Sequence, residues 1–181
     1  VIFISDIIKL YIPKLEELEY RQAILMQSET MIYNKVYDSN ISTYHKDTGC
    51  IEFPRSRWEK WYKFWIDNKP STYYAYIINT TDNQFIGEVN LHYNSERDWY
   101  DMGIIIESKY RGKGFGKQAL ILLLDIAFKE YNAKAVHNDF ENTRDTAYKL
   151  HLSVGFKVVN SENGMIDLLI KKNDLKGAYL Y

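Results

Sequence analysis

The run Arg111-Gly112-Lys113-Gly114-Phe115-Gly116-Lys117 is the part of this chain best suited to chemistry. Glycines let a backbone approach a ligand closely and gather several N–H groups into one concavity. Beyond it, Leu120, Leu123, Leu124, Ala127 and Phe128 recur at i, i+3, i+4, i+7 and i+8, the spacing of a helix with one face in a core. A helix over residues 114–130 would open inside the loop. Its unpaired N–H groups and positive dipole end would then point at whatever the loop holds. Arg111, Lys113 and Lys117 add positive charge. This combination suits a pyrophosphate.

Spacing narrows the choice. A dinucleotide fingerprint needs glycine at 117, where Lys117 stands. A P-loop needs glycine at 111 and Ser or Thr at 118, where Arg111 and Gln118 stand. What fits is Arg-x-x-Gly-x-Gly between a strand and a helix. In this form residues 101–118, centred on Tyr110-Arg111-Gly112-Lys113-Gly114, resemble the GNAT superfamily of acyl-CoA-dependent N-acetyltransferases. A second stretch agrees: Ala147-x-x-Leu150 followed by Val154-Gly155-Phe156 is similar to the last helix of that family and its Gly-Phe exit. Residues 91–156 look most like the branch with the ribosomal-protein and polyamine acetyltransferases, and the resemblance spans residues 8–171.

The resemblance implies a sheet splayed between the strand ending at Ile106 and a strand over residues 133–138, with acetyl-CoA in the gap. Its pantetheine arm would pair with the exposed edge at Ile104, Ile105 and Ile106, as an added strand would. An N–H near Ile105 or Ile106 would polarise the thioester carbonyl. Arg111, Gly112, Lys113, Gly114, Phe115, Gly116 and Lys117 would hold the pyrophosphate. The family's usual asparagine at the start of the last helix is displaced here: its slot holds Arg144, with Asn142 two residues earlier as the cofactor contact.

Acetyl transfer also needs proton traffic. An amine attacks only when unprotonated, so a base or water must take its proton. Glu88 in the middle strand and Asp101 in the next are the candidates. The departing thiolate needs a proton in return, and the family often supplies it from a tyrosine four residues before the glycine of Gly-Phe. That slot holds His151, and Tyr148 lies one turn earlier. His45, His92 and His137 show no metal-ligand spacing with one another or with Cys50, so no metal is expected.

The elements that must position these residues follow from periodicity. Ile8, Leu10 and Ile12 alternate with Lys9 and Tyr11 as a strand, stopped by Pro13, which opens a helix over residues 14–29. A polar stretch, 34–49, reads as a loop. Trp58, Trp61, Tyr62 and Trp65 form one face of a helix over 56–68, before Pro70. Strands over 72–78, 84–93 and 99–106 make a meander, because their connections are too short for parallel crossovers. Ile104-Ile105-Ile106 is apolar on both faces and so belongs in mid-sheet. After the glycine loop and its helix come a strand over 133–138, a helix over 143–154 capped at Gly155, and a hairpin over 156–159 and 165–171. The fold class is α/β: a single domain over 1–181 with a mixed, mostly antiparallel sheet and helices on both faces.

Composition bounds the function. With 46% apolar and 26% charged residues the chain is globular, and 181 residues suffice for one core. Lys and Arg number 23 against 24 Asp and Glu, so a nucleic-acid partner is not expected. No apolar run approaches the ~18 residues of a membrane span. The opening stretch lacks a basic leader and a small-residue cleavage site, so it does not read as a signal peptide. A lone Cys50 excludes an intramolecular disulfide and suits the cytoplasm. The implied partner is an amine, either a small molecule or a protein N-terminus, gripped by the helices over 14–29 and 56–68. The resemblance implies a homodimer, and a non-catalytic acyl-CoA-binding module of the same fold is the alternative function.

Overall fold

The computed structural model describes residues 5–36 and 42–176. Of the expected loop over 34–49, residues 34–36 instead finish a 3-10 helix that starts at Ile32, 42–49 are mainly turns, and 37–41 lie outside the described part.

Among the described residues seven strands form one sheet in the order β1-β2-β3-β4-β5-β7-β6. They are β1 (Ile8–Tyr11), β2 (Thr72–Asn79), β3 (Phe85–Asn94), β4 (Trp99–Ile106), β5 (Val136–Glu141), β6 (Lys157–Glu162) and β7 (Met165–Ile170). Every neighbouring pair is antiparallel except β4 with β5. This is the expected mixed sheet, with Ile104-Ile105-Ile106 in the central strand. Two cores flank it. One face carries α4 (Phe115–Lys129) and α5 (Asp145–Val154). The other carries α1 (Leu18–Leu25), α2 (Ser28–Met31) and α3 (Trp58–Trp65).

Alternation assigns the strand residues to these faces. Ala75, Val89, Leu91, Met102 and Val136 belong to the α4/α5 core, with Ile104 and Ile106 packed on it, while Ile105 packs with the α1/α3 core. Helix α4 exceeds its expectation: all of residues 119–128 are buried, beyond the one predicted face, because α5 packs along it as well as the sheet. Each fully buried leucine there contributes on the order of 1.5–3 kcal/mol. The expected helix over 14–29 is broken, with a turn at Met26 and Gln27 separating α1 from α2. Trp58 is buried, and Trp61 and Tyr62 pack partly buried beside it, as the aromatic spacing predicts.

Strand β5 runs three residues later than expected. The Ala133 N–H closes on the Ala127 carbonyl, so this stretch finishes the exit from α4 before the strand begins. Gly155 ends α5 at φ 113°, the left-handed cap that the sequence predicts.

Candidate functional site

Strands β4 and β5 touch at only two register pairs, Tyr100 with Val136 and Asp101 with His137. Beyond Asp101 they part, while β4 stays paired with β3 as far as Ile106. The sheet therefore opens into the expected cleft. The Tyr100 N–H donates to the Ala135 carbonyl on the β5 side, and the Glu107 N–H donates to the Ile86 carbonyl on the β3 side. Alternation then turns the main-chain groups of Ile104 and Ile106 into the cleft. It turns those of Ile105 toward β3, so Ile105 is not a cleft donor, which corrects the expectation for that residue. The Ile106 carbonyl is taken by Arg111 Nε at 3.0 Å, which leaves the Ile106 N–H and both groups of Ile104 facing the gap.

The glycine loop closes the end of this cleft. A turn at Ser108–Tyr110 leads through Arg111 into Gly112 (φ 74°) and Gly114 (φ 85°), the cap of α4. A Cβ built at either glycine meets nothing within 4 Å, so the loop's open side faces free space. The first-turn N–H groups from Phe115 to Lys117 lie ahead of the helical ladder, which starts with the Gln118 N–H on the Gly114 carbonyl at 3.3 Å. Lys113 and Lys117 are exposed at the same end. Concave main-chain donors, the α4 dipole and two exposed ammonium groups, that of Lys113 over the Tyr110 ring at 5.6 Å, fit a pyrophosphate, and the unpaired edge of β4 fits an extended arm.

Arg111 does something else. Its guanidinium donates to the carbonyls of Ile106, Glu29 (3.2 Å) and Thr30 (2.7 Å) and lies against the Tyr33 ring at 5.2 Å. Burial draws its charge affinity down. The expected phosphate ligand is thus a clamp that ties the loop to the end of α2. On the far wall Arg144 stacks on the same Tyr33 ring at 4.3 Å, so one tyrosine bridges the loop and the start of α5. The Asn142 N–H goes to the Gly164 carbonyl at 2.8 Å, on the β7 side, and the residue turned toward Tyr33 is Arg144.

The proton-transfer candidates separate clearly. Glu88 is 1% exposed on the α1/α3 face of β3, ion-paired with Arg21 through one oxygen and hydrogen-bonded by the Tyr74 hydroxyl through the other. Arg21 lies among the rings of Trp61 (4.7 Å), Phe53 (5.3 Å) and Tyr74 (5.5 Å). Burial opposes its charge, and Glu88 and Tyr74 outweigh it and push its proton affinity up. At 1% exposure and ion-paired with Arg21, Glu88 is closed off from an incoming amine, so it is withdrawn as a base. Asp101 is different. Its side chain is 39% exposed at the seam where β4 and β5 part.

His151 is also corrected. It is buried, with Nδ1 at 2.7 Å from the Ala147 carbonyl and Nε2 at 2.9 Å from Asn138 Nδ2. A carbonyl only accepts, so Nδ1 carries the proton, and Nε2 accepts from the amide. No proton is left to give a thiolate. Burial pulls this histidine down to about 4, the Ala147 bond opposing and Arg144 adding to the shift. The unfolded chain binds this proton from about pH 6.5, so stability is complete above that and falls as the pH drops toward 4, by about 3 kcal/mol in all. Urea unfolding of His151→Leu across this range is expected to lack that loss; an identical pH slope in variant and parent refutes the buried neutral state. Tyr148 remains. It is half-buried on α5, and its hydroxyl has no hydrogen-bond partner among the described residues.

Glu17 accepts from the Tyr11 hydroxyl at 2.8 Å and from the Lys14 N–H at 2.7 Å. Glu16 and Glu19 border a surface cleft of about 400 Å³ with Gln22, Arg55 and Trp58. Among the described residues no His/Cys/Asp/Glu group has the geometry of a metal site, and no helix is long and apolar enough to cross a membrane.

Comparison with known proteins follows from this geometry. Residues 18–157 match the family model described as an acetyltransferase (GNAT) domain. An acetyltransferase (GNAT family) from Bacillus anthracis is similar in structure, with a TM-score of 0.71, 14% identity, and coverage of 96% of this chain and 99% of the other. A spermidine N-acetyltransferase from Vibrio cholerae, solved with CoA and spermine, gives a TM-score of 0.72 at 16% identity, covering 92% and 96%. A nucleotide-linked sugar GNAT gives 0.68 at 18% identity, covering 93% and 89%. No curated protein matches the chain.

Proposed function

The chain belongs to the GNAT acetyltransferase family, and from this we propose that it moves an acetyl group from acetyl-CoA to a primary amine by direct attack. The observation that carries the reading is the continuity of the glycine loop with the unpaired edge of β4. A phosphate group and an extended arm are accommodated in one cleft by main-chain groups, so few side chains are needed. Acetyl-CoA supplies a thioester whose acyl carbon is open to a nucleophile. Gly112, Lys113, Gly114, Phe115, Gly116 and Lys117 hold its phosphates, with Arg111 holding the loop. Ile104 and Ile106 pair with the arm, and one of their N–H groups stabilises the oxyanion that develops on attack.

With the phosphates at the loop, the acyl end lies toward the seam, beside Asp101. Asp101 takes the amine proton, and the Tyr148 hydroxyl protects the leaving sulfur with a hydrogen bond or proton. The acceptor is a small amine or a protein N-terminus that enters over the α1/α3 face, whose wall is aromatic: Phe53, Trp61, Trp65 and Tyr74. The likeness to a spermidine N-acetyltransferase supports small amines as the first class to assay. We read residues 1–181 as one cytoplasmic acetyltransferase domain.

The test has two parts: calorimetric titration with acetyl-CoA, and CoA release with spermidine, an aromatic monoamine and a short peptide with a free N-terminus. Binding together with release supports the transferase. Tight binding with no release from any acceptor would instead make the chain a non-catalytic acyl-CoA-binding module.

A further inference from the structure

His137 has no part in the scheme so far, yet it occupies the last rung before the cleft opens, register-paired with Asp101. Its Nδ1 is 2.8 Å from Asp101 Oδ1, and its Nε2 is 3.2 Å from Asp167 Oδ1 on β7. Ionised carboxylates only accept, so both contacts are hydrogen bonds only when the ring carries a proton on each nitrogen. The ring is held flat against Trp99, with centroids 4.8 Å apart and planes at 16°. Trp99 Nε1 also donates to Asp101 Oδ1 at 3.0 Å, and Asn94 Nδ2 donates to Asp101 Oδ2 at 3.1 Å. Asn160 Nδ2 holds Asp167 from β6 at 3.1 Å.

Counting lone pairs gives the consequence. Asp101 Oδ1 is filled by His137 and Trp99. Among the described residues Oδ2 has one donor, Asn94, and keeps one acceptor direction free on a side chain 39% exposed, whereas the His137 side chain is 11% exposed. Asp101 is a carboxylate with its orientation fixed and a single open site, placed where the acyl end of the arm would lie.

We propose that His137, held between Asp101 and Asp167, is a positioning residue for acetyl transfer, orienting the Asp101 carboxylate so that its free Oδ2 site takes the proton of the attacking amine. This rests on the acetyltransferase reading above. In the step, the amine nitrogen bonds to the acyl carbon and the C–S bond breaks. The nitrogen's proton goes to Asp101, and the thiolate takes one from Tyr148. Asp101 returns its proton to water and Tyr148 regains one, which closes the cycle. The other groups facing this cluster are His92, opposite Asp101 on β3, Arg97 over the Trp99 ring at 5.8 Å, and Asp139, paired with Asp167 across β5 and β7. Asp139 is pushed up by burial and, against the pull of His137, by Asp167, Asp101 and Glu141. The His137 ring thus sits where the carboxylates of Asp101, Asp139 and Asp167 converge.

The experiment compares parent, Asp101→Asn, His137→Gln and Asp167→Asn proteins. It measures kcat, KM for both substrates, the pH profile of kcat/KM, and acetyl-CoA affinity by calorimetry, using the amine the parent turns over fastest. Asp101→Asn is expected to lower kcat by about 100- to 10,000-fold. His137→Gln is expected to lower kcat by about 10-fold or more with acetyl-CoA affinity unchanged. Its acidic limb should move to higher pH, because a neutral amide no longer favours the carboxylate anion. Asp167→Asn should act in the same direction with a smaller effect, and it carries the test if His137→Gln does not fold. A parent-like pH profile in the folded variants overturns the proposal, whether or not kcat falls, since a purely structural role leaves that profile in place. A parent that binds acetyl-CoA but acetylates none of the amines overturns the transferase reading first, before any variant is compared, and this proposal with it.

Discussion

Gly114→Val yields a folded protein that binds acetyl-CoA at least ~100-fold more weakly than the parent, a loss of about 2.7 kcal/mol. Gly114 caps α4 at φ 85°, in the left-handed region, and the space beyond its missing Cβ is open. A β-branched residue there has two courses. It stays left-handed at a cost of about 1–3 kcal/mol and projects its methyl groups where the phosphates would lie. Otherwise it leaves that region and turns the first-turn N–H groups out of the concavity. Both weaken binding, and neither touches the buried stretch of α4 over residues 119–128. Gly116→Ala is the contrast within the same loop. Its Cβ would make ordinary contacts with Leu150 at 3.5 Å and Ile106 at 3.9 Å, so the fold tolerates it and any loss reports on the ligand alone. Calorimetry with acetyl-CoA, with circular dichroism as the folding control, decides the matter. Parent-like affinity in folded Gly114→Val would remove the loop from the cofactor site.

Glu88→Ala is expected to destabilise the protein by about 3–5 kcal/mol, because it strands the Arg21 guanidinium among rings without its counter-charge. Arg21 Nε already has no hydrogen-bond partner among the described residues, so little remains to compensate. Replacing both partners together, as Arg21→Met with Glu88→Leu, should recover much of that loss, since two apolar side chains of similar size remove both buried charges. Urea unfolding at pH 7 measures each step. If Glu88→Ala abolished turnover at unchanged stability, the residue would belong to the chemistry after all.

The parts of this protein legible from its sequence are those written in local pattern. The glycine loop, the apolar period of α4 and the Gly155 exit each lie within a few consecutive residues, and the structure has them where the periodicity places them. The misread residues depend on partners far along the chain. Arg111 looks like a phosphate ligand because it is a cation in a glycine loop, yet two of its acceptors are the carbonyls of Glu29 and Thr30, about eighty residues away. Glu88 looks like a free strand carboxylate until α1 brings Arg21 onto it. His137 shows no metal-ligand spacing in the sequence, and its partners Asp101 and Asp167 reach it across strand register, which spacing does not encode. His151 occupies the slot of a proton donor, but the Ala147 carbonyl one turn back fixes its tautomer the other way.

The two-rung seam between β4 and β5 also governs how the molecule opens. Eight register pairs join β3 to β4 and six join β5 to β7, so the seam divides the sheet into two well-laced blocks with a thin join. Cooperative units part where the lacing is thinnest, so the lowest-energy subglobal opening should separate β1–β4 from β5–β7 and leave each block intact. An extended ligand laid along the free edges would stitch the blocks together. The amides of Ile104, Ile106 and Glu141 should then pass from rapid to slow hydrogen exchange on ligand binding, while those deep in β3 hardly change. On the proposed function, the acyl-CoA arm would act as an eighth strand, and the sheet would complete its cooperativity only when loaded.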